Sequence, residues 1–309
     1  MSAPFSFAPR RELGRTGFRA SALGVGDLAD RSLPLETCVA TLRRALDCGL
    51  NLVDTAPSYE DGYSERIVGR ALKGRRDGVF LIDKVDHWDR PVAPQIAESL
   101  ARLELPSVEL FVFHGFSSPE DFRALIAPGG RFDELCTCRD RGQTRFVGIS
   151  SHHPEVLHEA LRFGRCDVLM FPVGPFVDAR YVDEILPEAK TKGVGSVCFK
   201  TFGAGKLLGD TAGYGRPLED RPRGKLSSGG KARDGVPELP HLSVAECVRY
   251  TLTCDPDVAL LGLSFPNEQD AAFAAARDFE PFSRAELEDV RARAARAMAG
   301  KGHTWWNPE

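Results

Sequence analysis

The chain has 309 residues, a formal charge of −4 at pH 7, and 42% apolar and 27% charged residues, the make-up of an ordinary soluble globular protein. So mild a charge excludes the electrostatic footprint of a nucleic-acid binder or of a protein drawn to an anionic membrane surface. No apolar run approaches the ~20 residues of a membrane-spanning helix. Residues 1–12 lack the apolar centre of a signal peptide and are expected to form a short arm. The next segment, RELGRTGFRAS, holds a turn signal at Arg15–Thr16–Gly17 between short extended pieces and is expected to form a hairpin at the closed end of a barrel.

Apolar runs of strand length then recur: Ala22–Gly26, Asn51–Asp54, Val79–Lys84, Glu109–His114, Phe146–Ser150, Asp167–Pro172, Gly195–Lys200 and Ala259–Ser264. They are near-continuously apolar, as strands covered on both faces are. Helical patterns lie between them at Leu35–Asp47, Glu65–Leu72, Pro91–Leu103, Pro154–Phe163, Tyr181–Lys192 and Ser243–Leu252, and a last one spans Arg284–Met298. This alternation predicts a single (β/α)8 barrel over residues 1–309. A doubly wound sheet is the rival, but Gly24–Val25–Gly26 stops short of the G-x-G-x-x-G fingerprint.

Residues 209–240, rich in Gly, Pro and charge, show no periodicity and are expected to form a long loop after the seventh barrel strand, either a lid or simple disorder. Two tryptophans in the tail at 300–309, Trp305 and Trp306, would be costly to expose, so the tail is expected to dock. The eight cysteines form no C-x-x-C pair and no zinc knuckle. Reduced thiols and a cytoplasmic location are the default in a chain without a secretion signal. No His, Cys, Asp or Glu spacing matches a metal site.

The chemistry concentrates in NLVDTAPSYEDGYSE, Asn51–Glu65. Asp54 closes a strand and Tyr59 lies between that strand and the next helix, at the barrel edge where catalytic groups gather. Lys84 and His114 close later strands in the same way. A free tyrosine, with a pKa near ~10, is a poor acid at neutral pH. A nearby ammonium favours the phenolate, and an aspartate beyond the lysine keeps that ammonium charged and aimed. Asp54, Lys84 and Tyr59 thus make sense as one tuned general acid, with His114 able to donate a hydrogen bond to a substrate carbonyl. None of these groups is a hydride source, so a carbonyl reduction also needs a cofactor.

The motifs DTAPSYEDGYSE, LIDKVD and LFVFHGF, in that order, resemble the aldo-keto reductase family. Weaker matches at RRELGRTGFRASALGVG, FVGISSHHPEVL and VALLGLSFPNEQ extend the resemblance over nearly the whole chain. The resemblance implies hydride delivery from a nicotinamide to an aldehyde or ketone, with Tyr59 protonating the new alcohol. It also implies a cofactor site built from Gly26, Asp27, Ser150, Ser151, Met170, Phe199, Gly203, Gly205, Lys206, Leu207, Gly262, Ser264 and Glu268. Within it, Phe199 would stack under the nicotinamide, and Ser150 and Ser151 would meet its carboxamide with His152 taking part. Met170 stands where many members have glutamine. Gly203 to Leu207 would fold over the pyrophosphate. Asp27 departs from the small neutral residue usual there.

The resemblance favours NADP(H). Phe265 and Glu268, however, stand where NADPH-selective members usually carry Lys or Arg, so NAD(H) stays open. Asp86, Trp88 and Trp305 are the candidate substrate-pocket residues. The expected partner is a small carbonyl compound, with neither nucleic acid nor membrane, and the oligomeric state is open. A second reading is a nicotinamide-binding regulatory protein on the same fold with little or no turnover.

Overall fold

The computed structural model describes residues 6–8, 10–26, 31, 33–208, 240–263, 266–301 and 303–308, with the side chains of Asn267 and Glu268 excepted. Asp27, Ser264, Phe265, the Glu268 side chain and the loop at 209–239 therefore lie outside the described residues. Strands β1 (Arg11–Glu12) and β2 (Arg19–Ala20) form an antiparallel hairpin. Eight parallel strands follow and close into a barrel in chain order. They are β3 (Leu23–Gly26), β4 (Leu52–Asp54), β5 (Phe80–Val85), β6 (Val108–Phe116), β7 (Thr144–Ser151), β8 (Val168–Pro172), β9 (Gly195–Phe199) and β10 (Val258–Leu261), which pairs back onto β3. All eight apolar runs of the sequence are thus barrel strands.

The strands are apolar throughout because each divides its side chains between two cores. Leu52, Phe80, Ile82, Leu110, Val112, Val168, Met170, Val197 and Val258 form one buried cluster. The residues between them, such as Val53, Leu81, Phe111, Leu169 and Cys198, join the other cluster with the helices. The period-two alternation of a strand makes the first set the barrel interior and the second the layer under the helices.

The hairpin closes the bottom of the barrel. Leu13 and Ala20 are fully buried in the interior cluster, and Phe18 packs its ring 5.1 Å from that of Phe80. The plug fits only because position 14 lacks a side chain: Gly14 has φ 47°, and a Cβ there would lie 2.2 Å from the Gly195 nitrogen. One Asp257 oxygen holds plug and barrel together, accepting from Ser196 N at 2.9 Å and Gly14 N at 3.3 Å.

Around the barrel run α1 (Leu35–Asp47), α2 (Tyr63–Leu72), α3 (Val92–Leu103), α4 (Pro119–Ile126), α5 (Arg131–Asp140), α6 (Pro154–Phe163), α7 (Leu186–Thr191), α8 (Val244–Cys254), α9 (Pro266–Arg277) and α10 (Arg284–Met298). Capping chemistry sets several ends. Pro154 opens α6 and Gly164, at φ 73°, closes it, the usual asymmetry of the two residues. Ser243–Glu246 and Ser283–Glu286 form capping boxes on α8 and α10. Two helices between β6 and β7 were not anticipated. Ser118 caps α4 ahead of Pro119, whereas α5, RFDELCTCRD, lacks a clean apolar stripe. The expected helix over 181–192 instead begins as a π turn, Tyr181–Ile185, ahead of Pro187, which has no N–H to donate.

The tail docks as its tryptophans require. Trp306 is fully buried and donates its indole N–H to Phe176 O at 2.9 Å. Its own carbonyl accepts from the Tyr181 hydroxyl at 3.1 Å. The tail therefore lies on the loops that leave the C-terminal ends of β8 and β9.

Candidate active site

Strand register assembles the first half of the site. Asp54 pairs with Gly26 on one side and Ile82 on the other, and Lys84 pairs with Val112. Two residues on from Leu52, Asp54 points into the barrel; Lys84, two on from Ile82, does the same. The lysine Nζ lies 2.6 and 2.7 Å from the two Asp54 oxygens and donates to Thr55 O at 2.8 Å. Both side chains are 2% exposed. Burial pushes the Asp54 carboxyl up from its ordinary value, and the Lys84 ammonium acts in the opposite direction. Gly26 makes room for the pair: a Cβ there would stand 3.0 Å from an Asp54 oxygen.

The loop after Asp54 delivers Tyr59. Glu60, Asp61 and Gly62 all take left-handed backbone conformations, at φ 51°, 55° and 72°, and Gly62 N returns to Pro57 O at 2.7 Å. The end of the motif is structural. The Thr55 hydroxyl donates to Ser64 Oγ at 2.8 Å, and buried Glu65 pairs with Arg102 on α3. Strand, loop and helix are tied together, and half-buried Tyr59 is held with its ring centre 4.4 Å from Lys84 Nζ and 5.6 Å, edge-on, from the His114 ring.

His114 continues the inward alternation of β6 after Leu110 and Val112. Since Val85 registers with Phe113, the next residues along, Asp86 and His114, face each other. His114 Nδ1 bonds to Asp86 Oδ1, and Asp86 Oδ2 accepts from Ser58 N at 2.7 Å. Burial alone would raise the Asp86 carboxyl; the bond and charge of His114 and the bond from Ser58 outweigh it and hold the group below its ordinary value. Asp86, expected in the substrate pocket, has one oxygen on His114 and the other on the loop that carries Tyr59. The sequence signal was present but unused: Phe80, Ile82, Lys84 and Asp86 share one inward-facing period.

The structure sorts the candidate cofactor residues. Phe199, at the end of β9, is half-buried, with His152 5.1 Å away ring to ring. His152 Nε2 is buried without a partner among the described residues, and burial, then the charges of Lys200 and His114, lower its pKa to about 3. Ser150 and Met170 pair in register on the inward face. The Ser151 hydroxyl is instead engaged with Phe116 O and accepts from His153 N at 3.0 Å, joining the ends of β6 and β7.

The segment Gly203–Leu208 forms a kinked short helix in which Gly203 and Gly205 have φ 52° and 85°. Lys206 Nζ donates to His303 O at 2.8 Å, and Leu207 O accepts from Leu242 N at 2.8 Å, so these two residues grip the tail and the approach to α8. A Cβ on Gly262 would stand in ordinary van der Waals contact with Gly26 O, 3.7 Å away.

Trp88, 42% exposed, leans on Phe116 at 5.9 Å between ring centres. Trp305, 44% exposed, covers the Lys200 ammonium at 4.9 Å. Lys200 itself, next to Phe199 and near both tail tryptophans, was not singled out from sequence. Two of its ring neighbours come from a tail about a hundred residues away along the chain.

A family model described as the Aldo/keto reductase family matches residues 22–292. Among curated proteins, the NADH-specific methylglyoxal reductase of Escherichia coli is 27% identical over 219 residues, 64% of this chain and 66% of that protein. The L-galactose dehydrogenase of Arabidopsis thaliana is 30% identical over 216 residues, 64% of this chain and 66% of that protein. The chain thus spans just under two thirds of the length of these relatives. Among solved structures, an aldo-keto reductase from Bacillus halodurans in its holo form superposes with a TM-score of 0.69 at 22% identity, covering 92% of this chain and 95% of that one. An aldo-keto reductase from Klebsiella pneumoniae in complex with NADPH does so with a TM-score of 0.65 at 19% identity, covering 88% and 90%. Both structural likenesses bear on the fold.

Proposed function

The chain belongs to the Aldo/keto reductase family, and from that premise we propose that it reduces an aldehyde or ketone to an alcohol, with a nicotinamide cofactor supplying the hydride. The observation that carries this reading is the convergence of Tyr59, the buried Lys84–Asp54 pair and His114 at the C-terminal ends of three adjacent strands. Tyr59 is the general acid: its ring stands beside an ammonium that cannot swing away, because two Asp54 oxygens and Thr55 O hold all three of its donors. His114 orients the carbonyl. General acid catalysis of this kind contributes about a hundred- to ten-thousandfold.

The residues present suit a nicotinamide. The inward-facing Phe199 offers an apolar face at the barrel mouth, and His152 Nε2, buried and unpartnered among the described residues, offers a neutral hydrogen-bonding group beside it. Ser150, Met170, Gly203, Gly205 and Gly262 complete the side that would hold it. Preference between NADP(H), placed first, and NAD(H) rests on Ser264, Phe265 and Glu268. The relative named as an NADH-specific methylglyoxal reductase makes a small 2-oxoaldehyde the first substrate to try.

The test is a fluorescence titration with NADPH and NADH, followed by turnover of methylglyoxal and a panel of aldehydes. Saturable binding with turnover supports the reading. Binding without turnover of any carbonyl favours a regulatory role, and absence of binding removes the mechanism.

A further inference from the structure

Asp86 sits one residue beyond β5, with each of its carboxylate oxygens on a different part of the site. One bonds His114 Nδ1 and the other accepts the Ser58 N–H, the peptide next to Tyr59. We propose that Asp86 is a positioning residue that fixes the His114 tautomer and clamps the Tyr59 loop to it, so that the two groups facing the carbonyl keep one geometry. This rests on the reductase reading above and adds a residue to it.

An ionised carboxylate can only accept hydrogen bonds, so the Nδ1 bonded to it carries the proton and Nε2 is left to face the substrate. A neutral His114 then presents a lone pair at Nε2, fit to accept from an alcohol. An imidazolium presents an N–H, fit to donate to a carbonyl. Among the described residues, the other charged or titratable groups that face the ring are Tyr59, edge-on at 5.6 Å, the Asp54–Lys84 pair, and His152, just beyond β7, whose charge His114 opposes. Among the described residues, Asp86 alone combines an anion in contact with His114 and a bond to the Tyr59 loop.

Asp86→Asn tests this, because asparagine has one acceptor oxygen where two are needed and must release either His114 Nδ1–H or Ser58 N–H. Steady-state reduction of methylglyoxal should show kcat lowered about ten- to a hundredfold, the loss seen when a carboxylate that orients a metal-bound imidazole is removed, with cofactor affinity unchanged. In a His114→Gln background the same substitution should have little further effect on kcat. A fall in kcat that persists undiminished in the His114→Gln background, with a lowered melting temperature, would assign Asp86 a purely structural role and overturn the proposal, as would unchanged kinetics.

Nitrogen-15 NMR of the imidazole in wild type and Asp86→Asn decides the point independently of turnover. Nδ1–H as the neutral tautomer in wild type, redistributed in the variant, supports it; identical spectra overturn it even if no carbonyl is reduced and the reductase reading falls separately.

Discussion

The Lys84 ammonium stands between Asp54, with both carboxylate oxygens within 2.7 Å, and Tyr59, whose ring centre is 4.4 Å away. With Lys84 and Asp54 each 2% exposed, neither charge has water to turn to. Removing one member of a buried pair leaves the other uncompensated, at a cost of about 3–5 kcal/mol. Asp54→Asn should therefore destabilise the fold by about 3 kcal/mol in urea melts. The double variant Asp54→Asn with Lys84→Met should be less destabilised than the sum of the single changes. Additive losses would mean that the pair is not coupled.

Tyr59→Phe keeps the ring beside Lys84 and removes the hydroxyl. Turnover should fall by about a hundred- to ten-thousandfold, while titrations with NADPH and NADH should match wild type. Retention of more than a tenth of wild-type turnover would transfer the acid role elsewhere, with His114 the first alternative.

Asp83 points outward from β5 into the layer under the helices and is fully buried. One oxygen accepts Lys84 N–H at 2.8 Å, and the other has no partner among the described residues. Burial, then the nearby Glu65 charge, pushes its carboxyl well above the ordinary value. A folded-state pKa above the unfolded one means that the folded chain holds the proton more tightly. This contribution to stability is full below the unfolded value near ~3.9 and is lost as pH rises through the folded one. Asp83→Asn, an analogue of the protonated acid, should match wild type in melting temperature at acid pH and exceed it increasingly toward alkaline pH. A difference that does not vary with pH would show that Asp83 keeps its charge inside the fold.

The two tail tryptophans should separate cleanly. Trp306→Ala removes a fully buried indole and its bond to Phe176 O, and should cost about 3 kcal/mol while opening residues 303–307 to hydrogen exchange. Trp305→Ala, at an exposed site, should change stability by about 0.5 kcal/mol or less and show itself instead in KM for bulky carbonyls. Equal effects on stability would mean that the tail docks through both rings.

What could be read from the chain follows from which interactions are local. The barrel strands and the ends of α1, α6 and α10 were legible because apolar runs, Pro154, Gly164 and Ser283–Glu286 act over a few residues. The irregular α5 and the π turn at Tyr181–Ile185 were not, since tertiary packing overrides weak local preference there. Asp54, Lys84 and His114 stood out as polar residues closing apolar strands, and Tyr59 as the tyrosine in the loop that follows Asp54. Asp86 shares their inward-facing period, but only the β5–β6 register shows that its partner is His114. Only the fold shows that the Ser151 hydroxyl also meets Phe116 O and that Lys206 Nζ also meets the tail at His303 O.

The eight-fold alternation and the residue types offered at the strand ends can be read along the chain, because both depend on period and on near neighbours. Which residues meet is settled by the fold: Lys84 with Asp54, Asp86 with His114 and Ser58, Trp306 with Phe176. These contacts form across strand registers and chain-end docking, where the distance along the sequence carries no information about the distance in space.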